Sequence, residues 1–345
     1  MKDFNNVFRP VKWNEVKGQE HITKILQSQV LSKKGLSNAY LFSGKSGVGK
    51  TTLARLFFMS LNCQDLSKEG NPCLKCESCK NFKFDLMEIN ASDNRGIDDI
   101  RTLSKEIHYK SSVSEFKGIL LDEVHMLSKP AWNCLLKPLE DSSKGFVWIL
   151  CTTELNKVLK TIQTRCQNYR FNPIRWKDIF ERLKELSKEL KLEITEETIW
   201  TIARNSDTNL RQAIHLLEQY SNSGNIKELI SDEVNIDFLD GIAKSDLTLI
   251  WKSFLGWQKN YPDINTFINF LKYDIMTCLK IKMNLPLTNI APYRLKTYQK
   301  IAEDIKEEVL IKYFEEIINI EEKIGGVYDY NSLFFSMLCK IKKDK

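Results

Sequence analysis

The chain has no stretch approaching the roughly 18 consecutive apolar residues that a membrane span needs, which argues against a transmembrane helix. Its opening residues, MKDFNNVFRP, lack the apolar run of a secretory signal, so a cytoplasmic setting is the expectation. Compositional disorder is absent too. Hydrophobic residues make up 42% and charged residues 28% of the 345, which is globular composition with apolar material for real cores. Charge of one sign is in only small excess, because 51 basic against 45 acidic side chains leave a formal +6. That balance permits a polyanionic partner without identifying one. The length exceeds what one core usually organises and predicts two or three domains.

Four of the nine cysteines are packed between Cys63 and Cys79. The other five, Cys134, Cys151, Cys166, Cys278 and Cys339, are scattered through apolar segments. In a reducing compartment the cluster points to a metal and not to disulfides. Cys63, Cys73, Cys76 and Cys79 read C-x9-C-x2-C-x2-C, four soft ligands at a spacing that suits a tetrahedral zinc centre. With four protein ligands such a centre stabilises an insertion and leaves no open position for catalysis. An iron–sulfur cluster is the alternative.

Over the first 170 or so residues, the apolar runs NAYLFSG, DLMEIN, KGILLDE and FVWILCTT alternate with helical patterns. This predicts an α/β fold with a parallel sheet covered by helices. From Trp176 onward, Ile179, Phe180, Leu183, Leu186 and Leu190 recur at helical steps, and the helical segments TEETIWTIARN and NLRQAIHLLEQYS follow. The polar break SNSGN at residues 221–225 marks a boundary. Beyond it, runs such as FINFLKYDIMTCLKI keep helical spacing but carry no catalytic pattern, which suits packing or assembly.

Residues 44–51 read GKSGVGKT, matching G-x-x-x-x-G-K-[ST] between a strand pattern and a helix pattern. By usual residue frequencies the four fixed positions would match by chance in roughly one chain of this length in a hundred, before that context is counted. Glycine lets the loop wrap phosphate closely, so that backbone N–H groups of Gly44, Lys45, Ser46, Gly47, Val48 and Gly49 can cradle its oxygens ahead of Lys50, Thr51 and Thr52. Lys50 can reach the terminal phosphates of ATP, and Thr51 can ligate magnesium. Some 70 residues later GILLDEVH ends in Asp122 and Glu123. Acids at a strand end are common as solvated termini, but paired with this loop they read as a magnesium-holding acid and a water-orienting acid. His125 reads as a surface or packing residue.

With these motifs in order, the chain resembles the AAA+ family, and within it the clamp-loader subunits of bacterial DNA polymerase III (tau/gamma) and replication factor C. FRPVKWNEVKGQEHI at 8–22 resembles the family's stretch before the loop, which implies that the segment from Arg9 through Val16 to Gln19 lies beside the adenine. The run DEVHMLSKPAWNCLLKPLED resembles the clamp-loader helix after Walker B. FVWILCTTELNKV implies a sensor-1 role for Thr153. TIQTRC matches the Ser-Arg-Cys motif except for Thr164, and implies that Arg165 is an arginine finger acting on a neighbouring subunit's ATP. NLRQAIHLLEQ implies a sensor-2 role for Arg211, although Thr208, Asn209 and Gln212 depart from the family's usual neighbours.

The cysteine insertion resembles the bacterial branch, whereas EINASDNRGIDDIRTL resembles replication factor C; a virus-encoded loader would explain the mixture. Asn94 to Ile97 would open a helix whose cations Arg95, Arg101 and Lys105 could track a DNA backbone, with Asp98 and Asp99 diluting the field. The resemblance thus implies a RecA-like AAA+ core at 1–170 with a zinc insertion at 62–82, a helical lid at 171–224 and an all-α collar at 225–345. Its implied cofactors are ATP, Mg2+ and Zn2+. The implied partners are other loader subunits in a pentameric hetero-oligomeric ring, a sliding clamp and primer-template DNA. A stator-like subunit that binds ATP without turning it over, and a AAA+ translocase or helicase, are the rivals.

Overall fold

The computed structural model describes residues 4–93, 96, 114–140, 145–206, 208–224, 233–260, 264–287, 290, 292–324 and 329–343. The chain divides into two compact units, Met1–Arg182 with Thr208–His215, and Leu183–Asp207 with Leu216–Lys345.

In the first unit the helix Glu20–Ser32 (α1) precedes strand Ala39–Ser43 (β1), which feeds through the glycine loop into Lys50–Asn62 (α2). Strands Leu86–Asn90 (β2) and Lys117–Asp122 (β3), helix Lys129–Glu140 (α3), and strands Phe146–Thr152 (β4) and Gln167–Arg170 (β5) complete the sheet. The strand order is β2-β3-β4-β1-β5, and every pairing is parallel. Alternation along the strands explains the layers. Leu41, Ile119, Leu121, Trp148 and Leu150 pack with Trp132 and Leu135 of α3 on one face. Tyr40 and Phe42 point the other way, where Tyr40 meets Phe57 of α2 at 4.9 Å between ring centroids. Each such fully buried side chain contributes about 1.5–3 kcal/mol relative to exposure. Pro138 falls in the last described turn of α3, where its missing N–H removes one donor from the helical ladder.

The four strands read from apolar runs lie where those runs do. β5 was not anticipated: QNYR has one buried residue in four, too little apolar content to mark a strand. Its place is set by β1, whose Tyr40 to Ser43 pair with Gln167 to Arg170.

Helices Trp176–Glu189 (α4), Glu196–Asn205 (α5) and Leu210–Ser223 (α6) follow the sheet. The helices Glu233–Lys244 (α7), Leu247–Asn260 (α8), Ile264–Lys282 (α9), Pro292–Asp304 (α10), Glu307–Ile324 (α11) and Tyr330–Lys343 (α12) come after them. In the second unit Phe238, Phe254, Phe267 and Phe334 are fully buried and share one core with Ile275, Leu310 and Ile317. The Phe254 and Phe334 rings stack at 4.2 Å. Among the described residues no helix is long and apolar enough to cross a membrane.

Candidate nucleotide and metal sites

The glycine loop sits beyond the carboxyl end of β1, between β4 and β5 in the sheet order, where parallel sheets bind ligands. Geometry favours glycine at two of its positions. At Gly44 a Cβ would stand 2.8 Å from the Phe171 carbonyl oxygen, and at Gly47 (φ +73°) it would stand 1.7 Å from Asn209 Oδ1. The cleft in front of the loop is walled by Arg9, Val16, Ser46, Gly47, Val48, Gly49, Lys50, Thr51, Thr52, Asp122, Glu123 and Arg211. Gly44 and Lys45 stand behind it, and their carbonyls accept from Lys50 Nζ at 2.7 and 2.9 Å. Lys50 is buried, and that burial lowers its amine pKa despite the nearby Glu123 and Asp122. A phosphate would supply the counter-charge that these carbonyls supply only as dipoles.

Thr51 Oγ1 donates to Asp122 Oδ2 at 2.7 Å, so the two expected magnesium ligands already converge. Both are hard oxygen donors, the chemistry Mg2+ takes. Glu123, next along, has φ +50°, a left-handed conformation that costs a non-glycine residue about 1 kcal/mol or more. Its carboxylate is held from behind: Thr153 Oγ1 donates to Oε2 at 3.0 Å, and His125 Nδ1 lies 3.3 Å away. His125 also lies 3.2 Å from Thr152 Oγ1 through Nδ1 and 3.3 Å from Glu154 Oε1 through Nε2. Thr153 thus touches Glu123 without walling the cleft itself.

His125, read from sequence as a surface or packing residue, packs nearly buried behind Glu123 and bridges it to Glu154. Its position two residues past the acid was the signal, but only the return of β4 brings Thr152 and Glu154 against it. Arg165 does not join the cleft. Its Nε donates to Glu140 Oε1 at 2.5 Å and its Nη1 to the Thr161 carbonyl at 2.7 Å. Gln19 likewise turns away, donating to the Asn172 carbonyl at 2.7 Å. Arg95, Arg101 and Lys105 lie outside the described residues.

The Sγ atoms of Cys63, Cys73, Cys76 and Cys79 all lie within 4.8 Å of one another. Tetrahedral zinc with Zn–S near 2.3 Å needs sulfurs about 3.8 Å apart, so the set fits with small adjustment. Backbone N–H groups already point at the sulfurs. Cys73 Sγ accepts from Cys76 N–H at 3.2 Å and Lys75 N–H at 3.4 Å, and these bonds lower its pKa to about 6. Burial pushes the Cys79 and Cys63 thiols up. A cation bound among them would reverse that shift by favouring the thiolates.

A family model described as DNA polymerase III, delta subunit, matches residues 18–175. The chain is 39% identical over 249 residues to the DNA polymerase III subunit tau of Bacillus subtilis, covering 69% of this chain and 44% of that one. It is 38% identical over 341 residues to the DNA polymerase III subunit gamma of Buchnera aphidicola, covering 96% of this chain and 88% of that one. The chain therefore spans less than half of the Bacillus protein and nearly all of the Buchnera one. Among solved structures, the Thermotoga maritima RuvB branch migration motor aligns over 90% of both chains at 17% identity and a TM-score of 0.49, too distant to bear on what the chain does.

Proposed function

Since the chain belongs to the DNA polymerase III gamma/tau family, we propose that it is an ATPase subunit of a clamp loader, using ATP binding and hydrolysis to place a ring-shaped sliding clamp on primer-template DNA. The observation that carries this is the convergence of Lys50, Thr51, Asp122, Glu123 and Arg211 on one cleft behind a glycine loop.

ATP lies with its phosphates on the N–H groups of residues 44–49 and its base toward the segment containing Arg9 and Val16. Lys50 neutralises the terminal phosphates. Thr51 and Asp122 would hold Mg2+, which when bound neutralises charge on the phosphate oxygens. Glu123 orients the attacking water, and Thr153, with His125 behind, fixes the carboxylate that does so. Arg211 offers a cation to the γ-phosphate of the chain's own ATP. Arg165 acts in trans, so its bond to Glu140 would be exchanged for a neighbouring subunit's phosphate on assembly.

The assembly is a hetero-oligomeric ring of five subunits working in the cytoplasm. Residues 1–170 form the ATPase core, 171–224 the lid and 225–345 the collar. Cys63, Cys73, Cys76 and Cys79 hold zinc in the insertion at 62–82. From the sequence alone, Arg95, Arg101 and Lys105 are the cations assigned to contact with the DNA backbone.

The test is steady-state ATP turnover of the chain with candidate partner subunits, without DNA, with primer-template DNA, and with DNA plus clamp. A loader is stimulated jointly by DNA and clamp. Turnover that ignores the clamp and scales with DNA length belongs to a translocating motor, and ATP binding without turnover under all three conditions belongs to a stator-like subunit.

A further inference from the structure

The loop closed by the cysteines is bonded to the segment that walls the nucleotide cleft. Trp13 is 4% exposed; its Nε1–H donates to the Gly70 carbonyl at 2.8 Å, and its backbone N–H donates to Asn71 Oδ1 at 2.9 Å. Gln27 of α1 adds a bond to the Glu69 carbonyl at 2.5 Å. Gly70 has φ +70°, and a Cβ there would come within 3.2 Å of Leu31 Cγ, so glycine lets the loop approach this closely.

These receptors lie between the first two cysteines. Ser67 N–H donates to the Asn71 carbonyl at 3.0 Å, Gly70 N–H to the Ser67 carbonyl at 2.9 Å, and Asn71 N–H to Ser67 Oγ at 3.1 Å. The loop then closes where Cys73 N–H donates to Cys63 Sγ at 3.2 Å. On the far side of Trp13, Glu15 Oε2 accepts from the Val11 and Lys12 N–H groups at 2.8 and 3.2 Å, which sets the bend of the segment. Phe8, Arg9, Pro10, Glu15 and Val16 from this bend wall the cleft, whereas Trp13 does not.

We propose that the cysteine-held loop braces the nucleotide-facing segment, so that metal binding at Cys63, Cys73, Cys76 and Cys79 raises affinity for ATP through Trp13 and Asn71. This deepens the nucleotide reading of the cleft and rests on it. Trp13 and Asn71 are positioning residues. Without the metal, the loop between Cys63 and Cys73 regains chain entropy, Gly70 and Asn71 are no longer held in place, and the segment from Phe8 to Lys17 loses the two bonds they make to Trp13.

The test uses the full chain, zinc-loaded and then stripped by chelation under reductant, in the parent, in Trp13→Phe and in Asn71→Ala. Two quantities are read: affinity for a fluorescent ATP analogue, and amide hydrogen exchange across residues 8–17. Stripping the parent should speed exchange across 8–17 and weaken the analogue about three- to tenfold, the scale of one or two lost hydrogen bonds, with zinc restoring both. In zinc-loaded Trp13→Phe the affinity should already be reduced, and stripping should cost a smaller factor than in the parent, since only the backbone bond to Asn71 remains to be lost. Unchanged exchange and affinity on stripping overturn the brace, as does an equal factor lost in parent and Trp13→Phe. If stripping unfolds the whole chain by circular dichroism, the zinc-loaded variants decide, and parental affinity in both overturns the proposal. A parent that binds no nucleotide sinks the ATP reading instead, while exchange across 8–17 still tests the brace.

Discussion

Lys50 in the first unit and Arg204 in the second are buried cations in contrasting settings. In the first, Lys50 is buried and faces a cleft, its Nζ bonded to two backbone carbonyls and to no carboxylate among the described residues. In the second, Arg204 of α5 is buried against Asp274 of α9 at 2.5 Å, and Tyr298 of α10 donates to the same oxygen at 2.5 Å. The Arg204 guanidinium also lies 4.9 Å from the Phe270 ring centroid and 5.6 Å from that of Tyr273. Burial beside Asp274 pushes the Tyr298 hydroxyl pKa well up, so it stays a donor throughout the working pH range. Around Lys50 a buried cation faces a cleft; around Arg204 the buried charges close on each other. Removing a charge should therefore abolish an activity in the first unit and unfold structure in the second.

Arg165 gives the largest expected effect. Arg165→Ala should leave ATP affinity intact and cut DNA-stimulated turnover in the assembled complex by about a thousandfold, as loss of an arginine finger does. Normal turnover in that variant would remove the trans role and leave its bond to Glu140 as a surface ion pair. Lys50→Ala comes next. Loss of one charge near phosphate in a partly buried site should weaken ATP on the order of a hundredfold or more. Its melting temperature without nucleotide should hold steady or rise, because a buried ammonium is relieved. A marked fall in melting temperature would show that Lys50 supports the fold, and the contrast between the units would fail.

Asp274→Ala reverses the pattern. It strands the Arg204 cation and the Tyr298 hydroxyl in a core, which costs about 3–5 kcal/mol, read as a lower urea midpoint with nucleotide affinity unchanged. Asp274→Asn keeps the volume and one acceptor and should lose less. If both variants cost under about 1 kcal/mol, the triad is an ornament of the packing and not its organiser.

How much of this could be read from the sequence follows the same division. The glycine loop, the acids after β3 and the cysteine set announce themselves because each is contiguous, and the chemistry fixes the spacing. The roles of His125, Glu140, Trp13 and Asn71 depend on partners brought together by folding: Thr152 and Glu154, Arg165, Gly70. Apart from the place of His125 two residues past the acid, no local pattern encodes them. β5 was invisible because β1, and not its own residues, determines its pairing. In the second unit, Arg204 and Asp274 stand 70 residues apart on helices whose sequences look like ordinary amphipathic surfaces. The helical character there was legible; the buried triad was not.

The smallest effect tests whether local terms in the second unit stay local. Thr195 caps α5: its Oγ1 accepts from Thr198 N–H at 3.1 Å, and Glu196 and Glu197 occupy the first turn, where the helix dipole favours acids. Thr195→Ala should cost about 1 kcal/mol by urea unfolding, Thr195→Ser almost nothing, and Thr195→Gly a few tenths. α5 also carries Arg204, near its other end. If the cap and the triad are independent, the cost of Thr195→Ala should add to that of Asp274→Ala within about 0.5 kcal/mol, as for well-separated sites. A double variant less destabilised than the sum would mean that the triad holds the whole length of α5, so that once it is broken the cap has nothing left to stabilise.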